Sequence, residues 1–149
     1  MKITRALLVS LLLVSALSLH ADEDCYASAT LKNKTGRSLM LSKANLKWGK
    51  WCVGPPIEIK NGAEALFTAC GRSGTWSGTE GELAYTLEGT TDSRITFSFD
   101  ISYNGKAKGW VSSSGSIGLK KDSEYCSSEF SSCNHCTTVV TATMTAAKQ

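Results

Sequence analysis

The chain has 149 residues, of which 42% are apolar and 19% are charged, and its formal charge is +3 at pH 7. A chain of this length fits one domain that buries a core of its own. The charge is close to neutral and forms no clustered basic excess, which argues against a nucleic-acid-binding domain. We therefore expect no nucleic-acid partner.

The N-terminal segment has the pattern of a secretory signal peptide. Lys2 and Arg5 precede an apolar run from Ala6 to Leu19, which is shorter than the roughly 20 residues that a membrane-spanning helix needs. We expect cleavage after Ala21, with cleavage after Ser18 as the alternative. This divides the chain into a signal peptide over residues 1–21 and one secreted, extracellular domain over residues 22–149.

Six cysteines follow the expected cleavage site. An even number of cysteines in an oxidising compartment predicts disulfides, although the sequence does not choose among their pairings. The spacing of Cys133 and Cys136 is that of half a zinc site, but a secreted chain favours their oxidation over metal binding. We expect no metal and no cofactor, and the disulfide candidates are Cys25, Cys52, Cys70, Cys126, Cys133 and Cys136.

The first half of the domain alternates between apolar and polar residues. Tyr26 to Lys32 and Ser38 to Trp48 read as extended segments on either side of a turn. Asn33 begins an Asn-Lys-Thr sequon on that turn, which makes it a glycosylation candidate if the source is a eukaryote. Further on, Asn61-Gly62 predicts a hairpin between Ile57–Lys60 and Ala65–Ala69.

The second half contains the clearest strand, in which Ile95, Phe97, Phe99 and Ile101 occupy one face. A second Asn-Gly turn follows this strand. We expect residues 120–136 to be irregular. Thr137 to Met144 is rich in β-branched residues and is predicted to close the domain as the last strand. No segment shows helical periodicity. About eight short strands therefore predict an all-β, antiparallel β-sandwich in a single domain stabilised by disulfides, with a barrel as the alternative.

Three of the four tryptophans lie in the stretch between Leu46 and Gly81. Trp48 and Trp51 stand beside lysines, and such clusters suit the headgroup region of a membrane. The alternative for Trp48 is packing in the core. Trp76 lies in a glycine-rich run, which favours a surface loop.

Catalysis is the less favoured interpretation of the polar residues. His135 is the only histidine after the signal peptide, and it stands between two cysteines. Glu80 and Glu82 share one face of an extended segment, as a glycosidase pair would require, but solvated surface charge is the commoner reason for such spacing. We expect no catalytic residue and no enzyme activity.

Three segments together resemble the aegerolysins, small β-sandwich proteins of fungi and bacteria. They are Leu46-Lys47-Trp48-Gly49-Lys50, Ala69-Cys70-Gly71-Arg72-Ser73 and Ser77-Gly78-Thr79-Glu80-Gly81. The resemblance implies binding to membrane sphingolipids, alone or with sterol. Several members are the targeting component of a two-component pore and recruit a perforin-like partner, so the resemblance implies the same role here.

Carried over by position, the resemblance places Trp48 near the lipid site and Tyr103 at an aromatic position after the long central strand. Ser77 stands where relatives carry an acidic residue. The resulting hypothesis is a secreted sphingolipid-binding protein of a cytolytic, pore-forming or hemolytic system. The alternative is a secreted carbohydrate-binding or effector module that uses the same aromatic loops. The candidate lipid-binding residues are Trp48, Lys50, Trp51, Trp76, Ser77 and Tyr103.

Overall fold

A computed structural model describes residues 25–72, 77–127 and 133–145. These residues form two five-stranded sheets, which confirms the predicted all-β sandwich with disulfides. The first sheet has the order β3-β5-β1-β10-β9, and the second has the order β4-β2-β6-β7-β8. The strands are β1 (Tyr26–Lys34), β2 (Leu39–Trp48), β3 (Lys50–Val53), β4 (Glu58–Ile59), β5 (Glu64–Cys70), β6 (Thr79–Leu87), β7 (Arg94–Ile101), β8 (Lys108–Ser113), β9 (Ile117–Cys126) and β10 (His135–Met144).

The core lies between the two sheets and follows the alternation of the sequence. In β7 every second residue from Ile95 to Ile101 is buried, while Thr96, Ser98 and Asp100 are only partly buried. Burial of one face removes apolar area from water and fixes the register, because a shift by one residue would expose the whole set. Leu31, Leu83, Tyr85, Phe97 and Val140 are among the core residues from both sheets.

The topology differs from a purely antiparallel sandwich at one place. β1 pairs with β10 in parallel, with Tyr26 opposite His135 and Lys34 opposite Thr143. β5 flanks β1 antiparallel on its other side. The first and last strands of the domain therefore lie side by side in the middle of the first sheet.

Three local expectations are corrected. Residues 117–126, part of which was expected to be irregular, form β9, which pairs antiparallel with β10. Asn61-Gly62 makes a turn with Gly62 at a φ of 83°, but this turn joins β4 of the second sheet to β5 of the first sheet. It is therefore a crossover between sheets and not a hairpin. The described residues form ten strands, more than the eight expected.

Asn33 is fully buried in β1 and does not lie on an exposed turn. Its amide nitrogen donates to the carbonyl oxygens of Arg37 (2.8 Å) and Ile59 (2.7 Å). Its side-chain oxygen accepts from the backbone N–H and the hydroxyl of Thr35. The candidate acceptor nitrogen is therefore buried and doubly hydrogen-bonded in the folded domain, which argues against a glycan there. The side chain instead organises the β1–β2 connection.

All six cysteines are paired, as expected. Cys25 bonds Cys133 across 108 residues and ties the start of β1 to the segment before β10. The other two bonds join neighbouring strands: Cys52 with Cys70 links β3 to β5, and Cys126 with Cys136 links β9 to β10. No helix in the described ranges has the length and apolar character needed to cross a bilayer.

Tyr85 is a fully buried core residue whose hydroxyl donates to the carbonyl oxygen of Pro56 at 2.8 Å. Burial raises the pKa of Tyr85 above its usual value. An unfolded tyrosine ionises near pH 10, whereas Tyr85 stays neutral there in the folded domain. Unfolding then releases a proton, so the free energy of unfolding falls as pH rises above about 10.

We expect the Tyr85→Phe variant to lose this part of the pH dependence. At neutral pH the variant should be less stable by about 1 kcal/mol, because the Pro56 carbonyl loses its donor. Denaturant titrations of both proteins at neutral and alkaline pH measure the two effects. The remaining tyrosines are common to both proteins, so an unchanged pH slope in the variant would contradict the buried, neutral phenol.

Candidate functional site

Trp48 is the last residue of β2 and stands where the chain passes from the second sheet to the first. Its side chain is 61% exposed, which settles the choice between core and surface in favour of the surface. Its carbonyl oxygen accepts a hydrogen bond from the Thr79 hydroxyl at 3.1 Å. The backbone that carries this exposed ring is therefore anchored to β6.

Gly49 makes the passage between the sheets possible. Its φ is 98°, a conformation that favours glycine. A Cβ there would lie 2.5 Å from the carbonyl oxygen of Cys70 and 2.6 Å from the Thr79 hydroxyl oxygen. A residue with a side chain would push the end of β2 away from β5 and β6. Trp48 and Gly49 thus place an exposed ring at a fixed point on the rim of the sandwich, by which we mean the edge where β2 ends and the chain crosses to β3.

Trp51 follows the crossover and has the opposite environment. It is half-buried, packs against the main core and meets Phe99 edge-on at a ring-centroid distance of 6.3 Å. Because its ring is packed in the sandwich, Trp51 supports the rim from within and does not join Trp48 on the surface.

Trp48 borders a pocket of about 310 Å³ at the end of the second sheet. We call this the rim pocket. The residues that line it with Trp48 include Ser77, Gly78, Thr79 and Ser102, and two carboxylates also line it. Two of the predicted site residues, Trp48 and Ser77, are therefore brought together. The carboxylates are Glu80 and Asp100.

Charged groups beside the rim pocket are paired across strands. The Lys47 ammonium lies 3.1 Å from the Glu80 carboxylate, and Lys43 lies 2.8 Å from Glu82. Asp100 accepts from the Ser102 hydroxyl at 3.3 Å. The two ion pairs are exposed and contribute little to stability. Together with Ser102 they place ammonium and hydroxyl groups next to an aromatic ring, a combination suited to a polar headgroup.

The other predicted residues lie apart from the rim pocket. Lys50 is exposed on β3. Tyr103 is half-buried against the cluster that contains the Cys25–Cys133 bond, and its carbonyl oxygen accepts from the Cys133 N–H. Trp76 lies outside the described residues.

Trp110 is an exposed aromatic residue that the sequence interpretation did not select. It lies in β8, directly opposite Ser98 of β7, and is 54% exposed. The signal was present: Trp110 shares its strand face with Lys108 and Ser112, which are also exposed. Alternation on β8 would have placed the ring on the outer face.

The site is suited to binding, and the described residues form no cluster that could hold a metal ion. No group of three or more His, Cys, Asp or Glu side chains in the ranges 25–72, 77–127 and 133–145 could hold a metal ion. Glu80 and Glu82 are each paired with a lysine on the outer face of the sheet.

Because Gly78 has no side chain, its backbone can lie close to the carbonyl oxygen of Ile101, and both residues line the rim pocket. A methyl group at this position would overlap the carbonyl oxygen of Ile101. We expect Gly78→Ala to lower the free energy of unfolding by about 1–3 kcal/mol, because backbone stands on both sides of the clash. Gly54→Ala is the matched control, since nothing lies within 4 Å of a Cβ there. Equal denaturation midpoints for the two variants would contradict this account.

Comparison with solved structures identifies the same sandwich in other proteins. IP-1A from Alcaligenes faecalis matches with a TM-score of 0.65 at 16% sequence identity, covering 85% of this chain and 96% of that chain. RahU, solved in complex with a TRIS molecule, matches with a TM-score of 0.64 at 15% identity, covering 85% and 98%. The lipid binding protein Nakanori matches with a TM-score of 0.59 at 13% identity, covering 82% and 71%. At these identities the matches establish the fold.

Sequence comparison identifies a family but no curated relative. No curated protein matches the chain significantly in sequence. The sequence model of one family, described as Aegerolysin, matches residues 26–125. This range runs from the first residue of β1 to the penultimate residue of β9 and includes the whole rim pocket.

Proposed function

Because the chain belongs to the aegerolysin family, we propose that it is a secreted protein that binds sphingolipid-containing membranes through the rim pocket. The family consists of non-enzymatic lipid-binding proteins, which confirms the expectation that the chain is not an enzyme. Nakanori, one of the proteins with the same fold, is itself described as a lipid binding protein.

The observation that carries the proposal is the exposure of Trp48 at an anchored point on the rim. A tryptophan ring is stable at the boundary between headgroups and acyl chains, because its apolar body and polar N–H match the two environments. Lys47 stands next to it in sequence with a largely exposed ammonium, and Lys50 is exposed just beyond the crossover. Lys50, which lies outside the carboxylate-lined concavities, is suited to contact a lipid phosphate.

The pocket beside Trp48 supplies the polar contacts that a headgroup requires. Ser77 and Ser102 provide hydroxyls, and Glu80 and Asp100 provide acceptors, within one concavity of about 310 Å³. In this proposal the ring of Trp48 enters the interface while the headgroup occupies the pocket. Three disulfides stabilise the domain in an oxidising extracellular medium.

The domain would act as the targeting component of a cytolytic system rather than as the pore itself. Its described strands are all committed to the two sheets of the sandwich, and insertion requires a segment that spans the bilayer with its backbone satisfied. A perforin-like partner would supply that segment, and sterol beside the sphingolipid would belong to the recognised surface.

Vesicle pelleting combined with dye release tests this function. The oxidised protein is mixed with phosphatidylcholine vesicles that contain sphingomyelin and cholesterol, ceramide phosphoethanolamine, or neither. We expect pelleting with one or both sphingolipids, none with phosphatidylcholine alone, and no dye release without a partner. Absence of pelleting with every composition would refute lipid binding, and release by the protein alone would refute the targeting role.

A further inference from the structure

A second concave surface lies on the outer face of the second sheet. It is an open groove of about 810 Å³, next to the rim pocket, with which it shares Glu80 and Asp100. We call it the outer groove. One row of paired residues crosses all four of its strands: Asn45 faces Glu82, Glu82 faces Ser98, and Ser98 faces Trp110. Neighbouring strands are spaced by about 4.8 Å, so this row extends over about 14 Å.

Trp110 forms one wall of the outer groove. It belongs to a regular strand that pairs with β7, yet more than half of its side chain remains exposed. A large aromatic side chain in this position is only partly removed from water on folding, so much of its apolar surface remains for a ligand. The flat ring next to polar side chains provides a stacking platform.

The charges of the outer groove nearly balance. Its lining carries two lysines and three carboxylates. Lys43 pairs with Glu82 and Lys47 pairs with Glu80, which leaves Asp100 with the Ser102 hydroxyl. A phosphate would face the carboxylates, and an ammonium group would find two of the three carboxylates already neutralised. A neutral ligand with many hydroxyls fits this lining, because hydroxyls both donate to carboxylates and accept from ammonium and amide groups.

We propose that the outer groove binds a neutral oligosaccharide. One sugar ring stacks with its C–H face on Trp110, and the hydroxyls of the following rings bond to Ser98, Glu82 and Asn45. The length of the row accommodates more than one ring. The saccharide is either the headgroup of a glycolipid, which would lie next to a membrane bound at Trp48, or a soluble glycan.

A neutral-oligosaccharide array, followed by calorimetry with the best-bound oligosaccharide, tests the proposal on the oxidised protein. We expect Trp110→Ala to weaken binding by about tenfold or more, in line with the loss of a stacking contact. Asn45→Ala, at an exposed position, should weaken it severalfold and keeps the test valid if Trp110→Ala does not fold. Tyr125→Ala is the control, since this side chain is 60% exposed on the first sheet, and it should leave affinity unchanged.

Absence of binding to every neutral oligosaccharide, or binding unaffected by Asn45→Ala and by a folded Trp110→Ala, would overturn the proposal. Phosphatidylcholine vesicles with and without a neutral glycosylceramide then identify the source. Binding to the glycosylceramide vesicles that greatly exceeds affinity for the free headgroup sugar indicates a glycolipid, and equal affinity indicates a soluble glycan. Sphingomyelin and ceramide phosphoethanolamine carry no sugar, so failure of the rim-pocket proposal is distinguishable from failure of this one.

Discussion

Replacing Trp48 with alanine is expected to reduce binding to sphingolipid-containing vesicles by roughly thirtyfold. Withdrawing a large aromatic side chain from the membrane interface costs about 2 kcal/mol, which corresponds to this factor. Trp48 is 61% exposed, so its removal leaves no cavity in the core and should change stability by less than about 0.5 kcal/mol. Pelleting measured over a range of lipid concentrations gives the ratio of partition coefficients.

Two comparisons make this result specific to the rim. Tyr125→Ala removes another exposed aromatic side chain, on β9 of the first sheet, and should leave vesicle binding unchanged. Trp51→Ala should instead destabilise the domain, because Trp51 packs against the core and Phe99. If Trp48→Ala binds as well as the unmodified chain, the rim pocket is not the lipid site. If Tyr125→Ala is equally impaired, binding follows total exposed aromatic surface and not the rim.

The sequence predicted the strands whose two faces differ most. β7 alternates between Ile or Phe and polar residues, and each apolar residue is buried. β9 was missed because it enters a polar, serine- and cysteine-rich stretch with four charged residues between Lys120 and Glu124, and its register with β10 shifts at Val139–Val140. β9 is an edge strand, where charges are tolerated and discourage pairing with other chains. Local propensity cannot reveal a strand that long-range pairing creates.

The sequence predicted which residue types form the candidate site, but it did not predict the directions in which their side chains point. The extra residue at Leu46–Trp48 in the β2–β6 register breaks the alternation that would place Trp48 on the same face as Leu46, and the positive φ of Gly49 then turns the chain toward the first sheet before Trp51. The first ring therefore points to solvent and the second to the core, although both lie beside lysines in the sequence. The resemblance to relatives identified Trp48, whereas Trp110 required the pairing of β8 with β7 to become visible as part of a groove.

The parallel pairing of β1 with β10 brings the two ends of the domain together, and one of the disulfides stabilises the domain at this same place. These strands are the ends of the domain, and their contact closes a loop that contains nearly all of it. The Cys25–Cys133 bond closes the same loop just outside β1 and β10. In the unfolded chain the bond removes the conformational freedom of that whole loop, which is the largest that any of the three bonds restricts.

Removing the Cys25–Cys133 bond, with both cysteines changed to serine, is therefore expected to lower the free energy of unfolding the most. The chain-entropy relation gives about 4.8 kcal/mol for its separation of 108 residues. It gives about 3.2 kcal/mol for Cys52–Cys70 and about 2.7 kcal/mol for Cys126–Cys136, whose separations are 18 and 10 residues. Denaturant unfolding of the three double variants at one pH measures the order.

The control for this order is the pair of bonds that join neighbouring strands. Cys52–Cys70 and Cys126–Cys136 connect strands that already share backbone hydrogen bonds, so both variants should remain folded at room temperature. A ranking in which the Cys126–Cys136 variant is the least stable would contradict loop closure as the main contribution. It would indicate that native packing around β9 dominates, because loop length predicts the smallest loss for that bond.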